Sequence, residues 1–134
     1  MFLNLILTLM AVFLSRCKAR NAYDVRCSVE VTGDNDDIRN EFDILACHKN
    51  ELLVIECKTL KYQEQSDTDI AYKIDSLGQQ VRGLFGETWL LSARRPTDTL
   101  AERARRARVR IMGPEEFPKL QSAVKRWMTR SSTP

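Results

Sequence analysis

The unbroken apolar run from Leu52 to Ile55 is the feature that most constrains what this chain can fold into. Alternating apolar and polar residues are typical of a strand with one buried face, whereas an unbroken run is typical of a strand covered on both faces. We therefore predict a central strand from Glu51 to Thr59. The charged residues Glu56 and Lys58 follow the run directly. Such charges are costly at the end of a buried strand unless they are paired or used in function.

Two more strands are predicted before this one. Apolar residues alternate from Tyr23 to Val31, which indicates a strand with one buried face. A second strand is predicted from Arg39 to His48, and Lys49-Asn50 is expected to form a tight hairpin loop to the central strand.

The hairpin brings charged residues together. A two-residue loop places residues at equal distances from it opposite each other, so Asp43 should face Glu56 and Glu41 should face Lys58. Directly opposed residues point to the same face of the sheet, with Cβ atoms about 5 Å apart. Since residues two apart on one strand also share a face, all four side chains should cluster.

The rest of the chain alternates helices and strands. The expected elements are a helix from Asp69 to Arg82, a buried strand from Trp89 to Ala93, an Arg-rich helix opened by a capping box at Thr99 to Glu102, a strand from Val109 to Met112 and a closing helix from Glu115 to Met128. Gly83 and Gly86 are expected just past the end of the helix that begins at Asp69. This order predicts an α/β fold, with a mixed central sheet flanked by helices. The 134 residues suffice for one domain, over residues 1–130, with a frayed tail at 131–134.

The first 14 residues are almost wholly apolar, and the basic residues Arg16, Lys18 and Arg20 follow them. A secretory signal carries its positive charge before the apolar run, so we favour an apolar N-terminal helix over residues 1–20 that packs in the core. A signal or membrane anchor, which would tether the protein through residues 1–14, is the alternative. A third reading is that the segment replaces a longer natural N-terminus, which makes it atypical or truncated.

The cysteines and the single histidine exclude two common kinds of metal site. The cysteines Cys17, Cys27, Cys47 and Cys57 lack C-x-x-C spacing, which argues against a zinc ribbon and favours free, buried thiols in a reducing, cytoplasmic compartment. The single histidine, His48, excludes a multi-histidine metal site and is expected at the surface of the hairpin turn. Trp89 is expected in the core, and Trp127 is expected to anchor the last helix.

Charge is distributed unevenly along the chain. Residues 21–77 carry 13 acidic and 6 basic side chains, whereas residues 78–134 carry 5 acidic and 12 basic ones. Seven arginines fall within residues 94–110, and the guanidinium group suits phosphate. We therefore predict a nucleic-acid-binding surface, although a solvated helix face is the ordinary alternative. The predicted contacts are Arg94, Arg95, Arg103 and Arg106, the last two of which lie one helical turn apart.

Opposed carboxylates repel each other unless a cation neutralises them. Asp43 and Glu56 could hold Mg²⁺ or Mn²⁺, which prefer oxygen ligands, and the Cys57 backbone carbonyl could supply a third oxygen. The ammonium of Lys58 could orient a water molecule or stabilise charge that develops on a phosphate. The alternative is a structural ion pair between Glu41 and Lys58 across the strands.

These residues carry a resemblance to a known family. Asp43, followed thirteen residues later by Glu56-Cys57-Lys58, resembles the PD-(D/E)xK signature of restriction-endonuclease-like nucleases. More narrowly, N-E-F-D-I-L and L-L-V-I-E-C-K-T resemble the nuclease domain of CRISPR-associated effectors, in which a CARF sensor domain precedes the nuclease. The later order of helix, glycines, strand and Arg-rich helix also fits, so the resemblance covers residues 22–125.

The resemblance implies metal-dependent cleavage of DNA, RNA or both, in prokaryotic defence, by a restriction-endonuclease-like core. Asp43 and Glu56 would be metal ligands and Lys58 the catalytic lysine. Some nucleases of this fold carry a glutamine in the helix after the lysine strand that contacts the metal's water or the substrate, which makes Gln79 and Gln80 candidates, although we favour a solvated polar helix face for both. A homodimer is an expectation, since cutting both strands of a duplex needs two sites. No CARF sensor is expected in a chain of this length.

One departure from the family affects the expected activity. Relatives often place a glutamate on the first helix, but residues 1–22 contain no acidic residue. Glu41 is the candidate substitute as a metal ligand. The alternative is a catalytically weakened or inactive nucleic-acid-binding module of the same fold.

Overall fold

A computed structural model describes residues 24–32, 39–49, 51–58, 70–76 and 86–130. Its strands are β1 (Asp24–Thr32), β2 (Arg39–His48), β3 (Glu51–Lys58), β4 (Gly86–Ser92) and β5 (Val109–Met112). Its helical elements are α1 (residues 70–76), α2 (Asp98–Arg106), a 3-10 helix (Pro114–Lys119) and α3 (Leu120–Arg130). From the first strand onward, the described elements follow the predicted order, and the α/β fold is confirmed.

The five strands form one mixed sheet in the order β1-β2-β3-β4-β5. The first three strands pair antiparallel, whereas β4 and β5 continue the sheet parallel to β3. The parallel strands therefore end at the same edge of the sheet, where ligands commonly bind in α/β folds.

The β2–β3 hairpin has the predicted register. Ile44 pairs with Ile55 and His48 pairs with Glu51, so paired residues lie at equal distances from the Lys49-Asn50 loop. Lys49 adopts a positive φ of 48°, a conformation typical of tight hairpin turns. The same register carried one step past Ile44 places Asp43 opposite Glu56.

Strand β3 is central and covered on both faces, as predicted. Each residue from Leu53 to Glu56 is at most 4 % exposed, although consecutive side chains point to opposite faces. One face packs against α3 through Val124 and Trp127. The other face packs against α1 and α2, with Ile74 and Leu100 in its core. Trp89 and Trp127 are both buried, as expected.

Three predictions about element ends were wrong. The closing helix is a 3-10 helix up to Lys119 and becomes α-helical only at Leu120, because Pro118 has no amide hydrogen to donate. Helix α2 begins two residues earlier than expected, where the Thr97 hydroxyl accepts a hydrogen bond from the Leu100 amide at 3.3 Å. Strand β4 runs from Gly86 to Ser92 instead of from Trp89 to Ala93, and a Cβ on Gly86 would collide with the Leu52 carbonyl.

Two expectations about single residues were also wrong. His48 is only 6 % exposed, because its ring packs 6.0 Å from that of Trp127 on α3. Cys27 lies exposed on the edge strand β1, while Cys47 and Cys57 are partly buried, and all three are free thiols. The sequence pattern could not place Cys27, because alternation alone does not say whether an edge strand is covered.

Several predictions fall outside the described residues. They concern the apolar segment 1–20, Gln79 and Gln80, Gly83 and the tail 131–134. None of the helices in the described part of the chain has the length and apolar character needed to cross a membrane.

Candidate active site

The end of the β2–β3 hairpin holds the charged residues that the sequence singled out. The Cys57 backbone amide donates a hydrogen bond of 2.5 Å to Oδ2 of Asp43. This bond spans the two strands immediately beyond the last regular pair, Ile44 with Ile55. It anchors the Asp43 carboxylate next to Glu56, which precedes Cys57 in β3.

Glu56 is a buried carboxylate, and only 4 % of the residue is exposed. Its two oxygens have different surroundings. Oε1 lies 3.6 Å from the Lys58 ammonium and 3.0 Å from that of Lys73. Oε2 is fully buried and has no hydrogen-bond partner among the described residues. A buried carboxylate oxygen without a partner is costly, so it marks a place where a ligand would bind favourably.

Lys73 was not predicted from the sequence. It belongs to α1, and its ammonium is closer to Glu56 than that of the signature lysine Lys58. The sequence did contain a sign that Lys73 faces the sheet. Lys73 follows Ile70 by three positions, so it lies on the same side of the helix as that core residue. A lysine there, on the face that covers the sheet, must find an anion or reach solvent.

Among the described residues, the four charged side chains of the site balance one another. Asp43 and Glu56 contribute two negative charges, and Lys58 and Lys73 contribute two positive ones. Burial raises the pKa of the neighbouring Cys57 thiol to about 12, with smaller contributions from the charges of Asp43 and Glu56. Cys57 therefore stays protonated at neutral pH in the metal-free protein.

The donor set fits a hard divalent cation. Asp43 and Glu56 offer carboxylate oxygens, the unpartnered Oε2 among them, and Mg²⁺ or Mn²⁺ prefer such ligands. In the described ranges no three acidic, histidine or cysteine residues form a metal-binding cluster. Strand β2 includes Glu41, but its side chain lies outside the described part of the structure. A role for Glu41 or for the Cys57 carbonyl stays a prediction.

The predicted arginine contacts divide into two pairs. Arg103 donates from its Nε to both oxygens of Asp75 on α1, and Arg106 bonds to Glu102 on its own helix at 3.1 Å. Arg94 and Arg95 follow β4 within three residues, and Arg95 lies 3.7 Å from Glu115 of the 3-10 helix. The amide of Ala93 donates a 3.0 Å bond to the Lys58 carbonyl, which brings this arginine pair to the same edge of the sheet as Lys58.

A cavity lies away from these charges. It has a volume of about 520 Å³ and is lined by residues of β4, β5 and α3. Arg110 stacks over Trp89 there, with its guanidinium carbon 5.3 Å from the ring centre. The sheet separates it from Glu56, because Trp89 belongs to the core on the α3 side and Glu56 approaches α1.

The chain matches a known sequence family over most of its length. The family is described as "Card1-like, endonuclease domain", and its sequence model matches residues 10–131. No curated protein matches the chain.

Solved structures share its fold. Protein VC1899 from Vibrio cholerae is 25 % identical with a TM-score of 0.74, and the match covers 92 % of this chain and 33 % of that one. Can2 from Sulfobacillus thermosulfidooxidans, solved with cyclic tetra-adenylate, is 21 % identical with a TM-score of 0.75 over 93 % of this chain and 36 % of Can2. The small subunit of the heterodimeric restriction endonuclease R.BspD6I is 18 % identical with a TM-score of 0.52, over 85 % and 66 % of the two chains. The chain thus spans about a third of the length of the first two proteins.

Proposed function

Because this chain belongs to the Card1-like endonuclease domain family, we propose that it hydrolyses phosphodiester bonds of DNA or RNA at a divalent metal ion held by Asp43 and Glu56. The observation that carries the proposal is the buried Oε2 of Glu56, which has no hydrogen-bond partner in the part of the chain that the structure describes. The cost of burying this atom falls only when a ligand occupies the site.

A bound Mg²⁺ or Mn²⁺ would supply charge neutralisation at the phosphate and activation of water. The protein's own residues prepare the site for this chemistry. The amide of Cys57 orients Asp43, and the apolar run of β3 holds the Glu56 carboxylate in a dry environment where charges interact strongly. Lys58 extends from the end of the same strand, where its ammonium can orient the attacking water and stabilise negative charge on the phosphate oxygens.

The substrate strand would follow the edge of the sheet at which β3 and β4 end. Arg94 and Arg95 follow Ala93, whose amide bonds to the Lys58 carbonyl at this edge, so they are the first candidates for phosphate contacts. Arg103 and Arg106 would extend this basic surface along α2. A homodimer would place two such sites on a duplex, and the CRISPR-associated relatives that the sequence resembles suggest a role in cytoplasmic prokaryotic defence.

The second candidate is a nucleic-acid-binding module of the same fold with weak or no activity. The favouring observation is that the described residues supply only two carboxylates at the site. Such a module would bind nucleic acid in a salt-dependent manner without cutting it.

A cleavage assay tests the proposal. Purified protein is incubated with single- and double-stranded DNA and RNA in Mn²⁺, Mg²⁺ or EDTA, alongside Glu56→Gln, Lys58→Ala and the control Asp98→Asn. Asp98 is an exposed carboxylate in the first turn of α2. We expect cleavage by wild type and by Asp98→Asn that requires metal and is lost in the other two variants. Cleavage that persists undiminished in both site variants contradicts the proposal, and salt-sensitive binding without any cleavage favours the binding module.

A further inference from the structure

Among the described residues, Lys73 makes the shorter of the two ion pairs with Glu56. Its Nζ lies 3.0 Å from Glu56 Oε1, against 3.6 Å for Lys58. Both ammoniums thus approach the same oxygen and leave Oε2 without a partner in the described structure. The two lysines together neutralise the two carboxylates of the site.

The backbone and the side chain of Lys73 are constrained differently. The α1 backbone is tied to α2 by the Arg103–Asp75 ion pair and by the buried residues Ile70 and Ile74. The side chain of Lys73 is 27 % exposed, and its four-carbon stem has several rotatable bonds. Its ammonium can therefore move towards solvent without any movement of the helix.

We propose that Lys73 takes the place of the metal's charge at Glu56 in the metal-free protein, and that metal binding releases its ammonium to bind a phosphate of the substrate. This inference rests on the proposed function, because it assumes that a divalent ion binds at Asp43 and Glu56. It assigns to Lys73 a phosphate-binding role outside the sequence signature.

The charge balance supports this exchange. A divalent cation added to a balanced site leaves an excess of two positive charges, and at short range it repels both ammoniums. The Lys58 and Lys73 side chains are similarly exposed, at 26 % and 27 %. The proposed function keeps the Lys58 ammonium beside the attacking water, so Lys73 is the group that leaves. The single negative charge of a substrate phosphodiester offsets half of this excess, and an ammonium close to the metal site is placed to bind it.

Metal affinity tests the exchange without relying on cleavage. Mn²⁺ binding is measured by titration calorimetry for wild type, Lys73→Met, Lys73→Arg and the control Lys125→Met, which changes an exposed lysine on α3. Because Lys73 and the ion compete for Glu56, we expect Lys73→Met to bind Mn²⁺ about tenfold more tightly. Lys73→Arg and Lys125→Met should remain near wild type. Unchanged or weaker Mn²⁺ binding in Lys73→Met overturns the exchange.

Chemical modification of the wild-type protein gives a second test that needs no variant. The rate at which an amine-acylating reagent modifies Lys73 is followed by mass spectrometry with and without Mn²⁺, and Lys125 serves as the internal standard. We expect faster modification of Lys73 in Mn²⁺ and no change at Lys125. Modification of Lys73 that is slower or unchanged in Mn²⁺ overturns the release step.

The phosphate-binding role is tested by the kinetics of cleavage. We expect Lys73→Met to raise KM more than it lowers kcat, and Lys73→Arg to restore KM. A normal KM in Lys73→Met overturns this role. If the wild-type protein neither binds Mn²⁺ in a Glu56-dependent manner nor cleaves nucleic acid, the proposed function itself has failed. If the wild-type protein does both and only Lys73→Met departs from expectation, only this inference fails.

Discussion

The Cys57 amide donates a 2.5 Å hydrogen bond to the Asp43 carboxylate, and this bond links the regular part of the β2–β3 hairpin to its charged end. The bond forms because the register set at Lys49-Asn50 persists to Ile44 and Ile55 and brings the next residues of both strands together. One carboxylate is thereby oriented by the backbone, while the other, Glu56, is oriented by burial and by lysines.

Replacing Asp43 separates its structural role from its proposed chemical one. Asp43→Asn keeps an oxygen that can accept the Cys57 amide hydrogen but loses the negative charge. We expect normal folding and a fall in metal-dependent cleavage of at least about 10²-fold, since even partners that only orient metal ligands are worth 10–100-fold. Asp43→Ala should also lose about 1–3 kcal/mol in the free energy of unfolding, because the amide loses its acceptor. Urea denaturation with a cleavage assay measures both effects, and equal activity in wild type and Asp43→Asn would exclude the ligand role.

The ion pair between Glu56 and Lys73 should make the effects of the two substitutions on the free energy of unfolding non-additive. In a double-mutant cycle in EDTA with Glu56→Gln and Lys73→Met, we expect a coupling of about 1–3 kcal/mol, because one partner is buried and the two atoms are 3.0 Å apart. The same cycle with Lys125→Met should give no coupling, since Lys125 is on α3, which covers the opposite face of the sheet. The measurement is the free energy of unfolding in urea, and additivity in the Lys73 cycle would contradict the contact.

The Asp75–Arg103 pair should make stability depend on pH in the acidic range. The hydrogen bond from Arg103 lowers the pKa of Asp75 below its ordinary value of 3.8. A lowered pKa means that the pair contributes to stability above about pH 4 and that this contribution disappears as pH falls through the pKa of the folded state. The stability difference between wild type and Asp75→Asn should therefore shrink on going from pH 7 to pH 3.

The pair is exposed, so the effect should be modest and should weaken in high salt. Urea unfolding at several pH values measures it, with Asp98→Asn as the control. A difference between wild type and Asp75→Asn that grows at low pH would refute the assigned sign.

The two arginine pairs should differ in their contribution to nucleic-acid binding. Arg94→Ala/Arg95→Ala should weaken binding and lower the slope of log K against log salt concentration by about 1–2, as expected for the loss of two phosphate contacts. Arg103→Ala/Arg106→Ala should weaken it less, because both guanidiniums bond to carboxylates of this chain at shorter distances than the 3.7 Å contact of Arg95 with Glu115. Fluorescence anisotropy over a range of salt concentrations distinguishes them, and an equal or larger effect of the second pair would contradict this ranking.

The hairpin could be predicted because its determinants are local. The apolar run Leu52–Ile55 marks a strand covered on both faces, and a short loop at Lys49-Asn50 sets which residues face each other. Both depend on residues within a few positions of one another, so the opposition of Asp43 and Glu56 follows from counting along the chain. The structure adds the hydrogen bond from the Cys57 amide to Asp43, because counting shows which residues are opposed but does not show which atoms bond.

Residues on surface helices were predicted less well. Lys73 was missed, and the pairing of Arg103 with Asp75 was not foreseen, since their contacts cross from one element to another. His48 was expected at the surface because it adjoins a turn, whereas a ring from α3 covers it. In each case the partner is distant in sequence, and periodicity shows which face of an element is apolar without showing what packs on it.

By itself the sequence determined the order of the described strands and helices, the central position of β3 and the pairing of β2 with β3, because backbone geometry and side-chain periodicity act over short distances. Only the tertiary structure decided that a helix would bring Lys73 to Glu56 and that one Glu56 oxygen would be buried without a partner among the residues described. Those outcomes depend on how α1 packs across the sheet, and the packing of one element on another is set by the whole core instead of by any single segment.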